Sequence, residues 1–181
     1  FRENAFNVCS LEGVTIPKSM EFLPENSFGY CCNLRSIIFS EGLKGLSLNA
    51  FGQCDVLKSL ELPGSLIEIF PGCLTSELEK VIVNADNPVF YSDDGLLYTK
   101  GEKSELILCP QAKRGEVRIA EGTSSISQDA LSFCRQITKL YVPKSIKDDN
   151  QGIRIKGENF VDYEIAEGNE IYKDVNGVLY D

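Results

Sequence analysis

The sequence predicts a β-rich solenoid, a stack of similar coils. Three observations carry that expectation. First, one apolar pattern occurs at residues 26–40 (N-S-F-G-Y-C-C-N-L-R-S-I-I-F-S), 49–63 (N-A-F-G-Q-C-D-V-L-K-S-L-E-L-P) and 129–143 (D-A-L-S-F-C-R-Q-I-T-K-L-Y-V-P). Phe28, Cys31, Leu34, Ile37 and Phe39 match Phe51, Cys54, Leu57, Leu60 and Leu62, and again Leu131, Cys134, Ile137, Leu140 and Val142. Second, the first two copies are offset by a constant 23 residues, from Phe28 to Phe51 and from Ser40 to Pro63. A fixed period of that size marks units that bury their apolar face only by stacking on neighbours. Third, every copy ends in a period-2 alternation, the mark of a short strand with one buried face.

Taken in order, a first coil starts at Asn4, runs one residue short between Phe6 and Leu11, and regains register at Val14, Ile16 and Pro17. Its strand, Val14-x-Ile16, recurs as Ile37-x-Phe39, Leu60-x-Leu62, Val81-x-Val83 and Leu140-x-Val142. Stacked about 4.8 Å apart, these form a parallel sheet along one side. Pro17, Pro63 and Pro143 follow strands directly and end them, because proline cannot donate to the ladder. A second apolar pulse comes after each corner: Met20-x-Phe22, Leu43-x-x-Leu46, Leu66-x-x-Ile69 and Thr123-x-x-Ile126. The corners are either Pro-x-Ser or Glu-Gly, two solutions to one turn. Asn4, Asn26, Asn49 and Asp129 then stand where a side chain can cap a single helical or 3₁₀ turn containing F-x-x-C. A fourth coil is degenerate, with Leu74 in place of the phenylalanine.

The register breaks at residues 87–98 (N-P-V-F-Y-S-D-D-G-L-L-Y), which align without a gap to residues 169–180 (N-E-I-Y-K-D-V-N-G-V-L-Y). Asp94-Gly95 and Asn176-Gly177 between apolar segments predict β-hairpins. The first is continued by Leu106, Ile107 and Leu108. The expected organisation is a single solenoid over residues 1–181: coils at 4–83, a hairpin unit at 84–115, coils at 116–168 and a truncated hairpin unit at 169–181. The chain opens and stops inside repeats, so it reads as a piece of a longer protein.

These motifs resemble the BspA-like leucine-rich repeats, whose signature is similar to A-F-x-x-C-x-x-L-x-x-I-x-I-P followed by x-S-[IVL]-x-x-I. Ala50 to Pro63 with Ser65, Leu66 and Ile69 carry it, as do Ala130 to Pro143 with Ser145 and Ile146. Residues 87–98 match the interspersed unit of that family. Departures are Ser40 in place of the strand-ending proline, the short first coil and the irregular stretch 147–160. The fold expected is thus a β-rich α/β solenoid: a leucine-rich-repeat right-handed superhelix with a parallel sheet on one face, short helical or 3₁₀ turns and interspersed β-hairpin units. The resemblance further implies a cell-surface or secreted parent, often bacterial, that mediates adhesion or protein binding. It supplies no catalytic residues and no cofactor.

Composition narrows the partners. Eighteen Lys and Arg against 27 Asp and Glu give a formal charge of −9, which repels phosphate backbones and anionic lipid. No apolar run nears the roughly 18 residues that span a bilayer. The chain has no histidine, so Ser-His and Cys-His dyads cannot form and the usual zinc arrangements are absent. Cys9, Cys31, Cys54 and Cys134 share one repeat position and read as an inward ladder rather than as disulfides or metal ligands. Cys32 lies outside that ladder and could be exposed. Asp93-Asp94 belongs to a turn, and Asp148-Asp149 lacks the alternating ligands of a calcium loop. The expectation is no enzyme, no metal and no cofactor.

What remains for function is the outward side of the strands. Ile38, Ile82 and Tyr141 are apolar at positions that alternate with buried ones, and Glu61 and Lys139 stand beside them. These five residues form the candidate concave binding patch, with a protein partner, such as a host extracellular-matrix or cell-surface protein, as its ligand. The alternatives are a passive spacer or a glycan-binding module; the lack of Trp removes the best sugar-stacking residue.

Overall fold

The computed structural model describes residues 2–180 except 71, 73, 75, 76, 148–152, 154, 156–158, 176 and 177. The Asn176-Gly177 turn and the Asp148-Asp149 pair lie outside the described residues. The described residues form sixteen strands. In order they are β1 (Gly13–Ile16), β2 (Phe22–Leu23), β3 (Ser36–Phe39), β4 (Gly45–Leu46), β5 (Ser59–Leu62), β6 (Glu68–Ile69), β7 (Lys80–Val83) and β8 (Phe90–Asp93). Then come β9 (Leu96–Thr99), β10 (Ser104–Leu108), β11 (Arg114–Arg118), β12 (Thr123–Ile126), β13 (Gln136–Val142), β14 (Asp162–Ile165), β15 (Lys173–Val175) and β16 (Val178–Tyr180).

The architecture is a parallel β-solenoid. The main column is β1-β3, β5-β7 and β11-β13-β14, all parallel and in the register of the repeat: Val14 beside Ile37, Leu60 beside Val81, and Val117 beside Leu140 and Tyr163. The expected single sheet is therefore divided into three short ladders. The second apolar pulse forms its own parallel ladder, β2-β4-β6.

The expected helical turns do not form. Apart from 3₁₀ geometry at Gly72, no helix occurs among the described residues, so the α/β label is corrected to an all-β solenoid. Backbone handedness explains this. Asn4, Asn26, Asn49 and Asp129 have φ of 60°, 51°, 52° and 64°, whereas a helix N-cap takes an extended conformation. Asparagine is the side chain that enters this left-handed region most readily. Val8, Tyr30 and Gln53, four residues further on, are left-handed too. Alternate amides then point along the stack: Asn26 N–H donates to Leu48 O, Phe28 N–H to Ala50 O and Tyr30 N–H to Gly52 O at 2.8–3.3 Å. Hydrogen bonds between coils replace those within a helix, so each corner is a run of β-turns.

The core follows the pattern read from the sequence. Phe28, Cys31, Leu34, Phe51, Cys54 and Leu57 are fully buried. Phe6, Phe28 and Phe51 stack nearly parallel, with ring centroids 5.3 and 5.9 Å apart. The cysteine ladder has a polar component: the thiols of Cys31, Cys54 and Cys134 donate to the carbonyls of Phe6, Phe28 and Cys109 in the preceding coil, at 3.0, 3.1 and 3.3 Å. Burial pushes the Cys31 thiol up to about 12 and Cys54 up to about 11. Cys32 is exposed.

The hairpin β8-β9 joins two cores. Phe90, Leu97 and Leu108 pack with the N-terminal coils. Leu96, Tyr98 and Leu106 pack with the C-terminal ones. Successive side chains of β9 thus go to opposite cores, as strand geometry requires. Asn87 holds the hairpin at its base: its amide donates to the carbonyls of Pro63 and Leu66, and its Oδ1 accepts from Val89 and Phe90 N–H. Asn169 repeats this with Pro143 O and the amides of Ile171 and Tyr172.

Candidate functional site

Because β-strand side chains alternate, each rung of the main column points two residues into the core and two outward. Pairing aligns the outward ones into two rows. One runs Gly13, Ser36, then Ser59, Lys80, then Glu116, Lys139, Asp162. The other runs Thr15, Ile38, then Glu61, Ile82, then Arg118, Tyr141, Glu164. Ile38, Glu61, Ile82 and Tyr141 all belong to the second row, and Lys139 to the first. The tip of the β8-β9 hairpin splits them: the first three lie on the N-terminal coils, Lys139 and Tyr141 on the C-terminal ones.

The two halves differ in chemistry. On the N-terminal half Ile38 is 62% and Ile82 40% exposed, beside small Gly13, Ser36 and Ser59. That surface is aliphatic and small-residue in character, with Glu61 and Lys80 as its charges. The C-terminal half is a charge network. The Arg118 guanidinium lies over the Tyr141 ring at 3.3 Å from its centroid, and Lys139 Nζ sits 4.8 Å from it. The Tyr141 hydroxyl donates to Glu116 Oε2 at 2.7 Å. Lys139 pairs with Glu164 at 2.7 Å and Asp162 at 3.9 Å. The hydrogen bond to Glu116 raises the Tyr141 pKa, and that to Glu164 raises that of Lys139. Tyr141 is thus half-buried among charges.

Sequence reasoning missed Glu116, Arg118, Asp162 and Glu164. Strands β11 and β14 lack the F-x-x-C-x-x-L frame that located the others. The signal available was the alternation Glu116-Val117-Arg118-Ile119 and Asp162-Tyr163-Glu164-Ile165. Among the described residues no group of His, Cys, Asp and Glu is arranged to hold a metal ion.

Stacked parallel strands, turn-built corners and an inward apolar ladder define a leucine-rich-repeat solenoid. The chain belongs to the BspA type leucine-rich repeat family, whose repeat matches in six copies across residues 1–94 and 109–168. The stretch between holds β9 and β10. Solved structures with this fold include a leucine-rich cell surface protein from Faecalibacterium prausnitzii, 22% identical with a TM-score of 0.71 over 90% of this chain and 44% of that one. The pneumococcal vaccine antigen PcpA is 26% identical, with a TM-score of 0.71 over 82% of this chain and 38% of its own. A leucine-rich repeat protein from Eubacterium ventriosum is 16% identical, with a TM-score of 0.54 over 91% of this chain and 57% of that one. The chain therefore spans less than half the length of the first two. No protein of curated function matches it.

Proposed function

We propose that this chain is a non-enzymatic interaction module of a surface-exposed or secreted protein, and that the outward face of its strand column engages a protein partner. The observation that carries this reading is the aliphatic half of that face. Ile38 and Ile82 stay exposed at positions where the repeat itself does not require an apolar residue. Family membership supports it, as does the description of one structural neighbour as a cell surface protein. A host extracellular-matrix or cell-surface protein is the partner class to test first. The test is binding to a panel of immobilised matrix proteins, using the wild type and an Ile38→Asp/Ile82→Asp variant. Saturable capture that the variant loses supports the reading. Capture unaffected by the variant moves the contact elsewhere, and no capture across the panel favours a spacer.

A further inference from the structure

We propose that the cleft at the break in the strand column binds an acidic, extended segment of a partner protein. This rests on the reading of the strand column as an interaction face and names the chemistry of one part of it. Strands β7 and β11 are both ladder edges, and between them sits the hairpin tip. Val81 N–H donates to Gly95 O, and Ala112 N–H to Leu78 O, both at 2.9 Å. An open cleft of about 430 Å³ remains, with Glu79, Lys80, Asp94, Gly95, Lys113 and Arg114 in its walls.

Its electrostatics oppose those of the chain. Three cations face two carboxylates here, in a protein of formal charge −9. Lys113 is already committed to Asp94 at 2.9 Å, and that pair is neutral, which leaves Lys80 and Arg114 against Glu79 and a net charge of +1 in the walls. Lys80 and Arg114, one from each wall, are exposed and make no ion pair among the described residues. The tip backbone lies close against Lys80: a Cβ on Gly95 would lie 2.8 Å from Lys80 Cβ. Two free cations bracketing a groove suit carboxylates spaced along a chain. Strand β11 is the edge of its ladder, a position where an extended peptide can pair and a sugar meets poorly. No aromatic side chain lines the cleft to stack on a sugar ring.

The experiment follows backbone amide shifts as a synthetic Glu-Ser-rich decapeptide is added to the whole chain, and measures its affinity by fluorescence anisotropy. Saturable shifts are expected at Lys80, Gly95, Lys113 and Arg114, with affinity falling as salt rises. Lys80→Glu/Arg114→Glu should weaken binding roughly tenfold or more. Lys103→Glu, on the exposed loop between β9 and β10, should leave it unchanged; its spectrum and that of the double variant report folding directly. Shifts absent from the cleft, or equal loss in Lys103→Glu, overturn the proposal. So does a heparin-derived oligosaccharide that perturbs these amides where the peptide does not. The probe is a defined peptide, so failure here leaves the Ile38 and Ile82 surface untouched, and failure of the matrix panel leaves this cleft untouched.

Discussion

Leu57 and Glu61 stand four residues apart on neighbouring segments of one coil, yet their environments are opposite. Leu57 is fully buried and Glu61 exposed on the outward row. Leu57→Ala leaves a cavity in a close-packed stack and is expected to cost about 2–5 kcal/mol. Glu61→Ala should cost under about 0.5 kcal/mol. Urea melts compare the two, and equal losses would contradict the inward and outward assignment. Asn87 is a different case, a fully buried amide whose removal takes a donor from two carbonyls and the acceptor from two N–H groups. Asn87→Ala should destabilise by roughly 2–4 kcal/mol, more than an exposed asparagine ever does. Asn87→Asp keeps the acceptor but turns a second carboxylate oxygen toward the two carbonyls in a fully buried site, so it should not recover that loss.

The hairpin is the element whose behaviour the structure changes most. Its turn has φ of +46° at Asp94 and +80° at Gly95, positive at both central residues as a type I′ turn demands. Gly95→Val meets two obstacles. A β-branched residue is forced left-handed, and its Cβ would approach Lys80 Cβ to 2.8 Å and Lys80 Cα to 3.2 Å. The cost is expected to exceed the roughly 1 kcal/mol of an ordinary glycine replacement. An appended hairpin would confine the damage to its own neighbourhood. Leu97 and Leu96 instead serve separate cores, so hydrogen exchange should rise on both sides, at β7 and at β13. Exchange raised only within residues 90–108 would mean that the hairpin is an appendage after all.

At the scale of the whole molecule, burial of thiols links stability to pH. Unfolded thiols ionise near the ordinary value of 9.0, while Cys54 in the fold is held up to about 11 and Cys31 to about 12, both by burial. Above pH 9 the unfolded chain loses protons that the folded chain retains, so unfolding is favoured. The stability contributed by these protonated thiols is fully present below about pH 9 and is lost as pH rises toward 11 and 12. Urea midpoints should therefore fall across that window. Cys54→Ala is expected to lower stability at neutral pH, through the lost contact with Phe28 O, and to flatten the slope. A slope unchanged by that substitution would assign the alkaline loss to other groups.

The sequence by itself determined the coil, its strands and its inward residues. A 23-residue recurrence in Phe, Cys and Leu positions has few ways to be buried other than by stacking. It also determined both hairpin units, because Asp94-Gly95 and Asn176-Gly177 recur at matched positions between apolar segments. Three matters were left to tertiary structure. The corner at Asn26 and Asn49 is compatible locally with a capped helical turn, and only the neighbouring coil, by accepting alternate amides, selects left-handed turns. Strands β11 and β14 lie outside the repeat frame and are placed by pairing with β13. The candidate face was legible only in half. Ile38 and Ile82 follow from alternation, whereas the surroundings of Tyr141 come from residues 23 and 25 positions away, brought next to it by the stack. Alternation fixes which way a side chain points, and the partners it meets are fixed by which coil lies beside it.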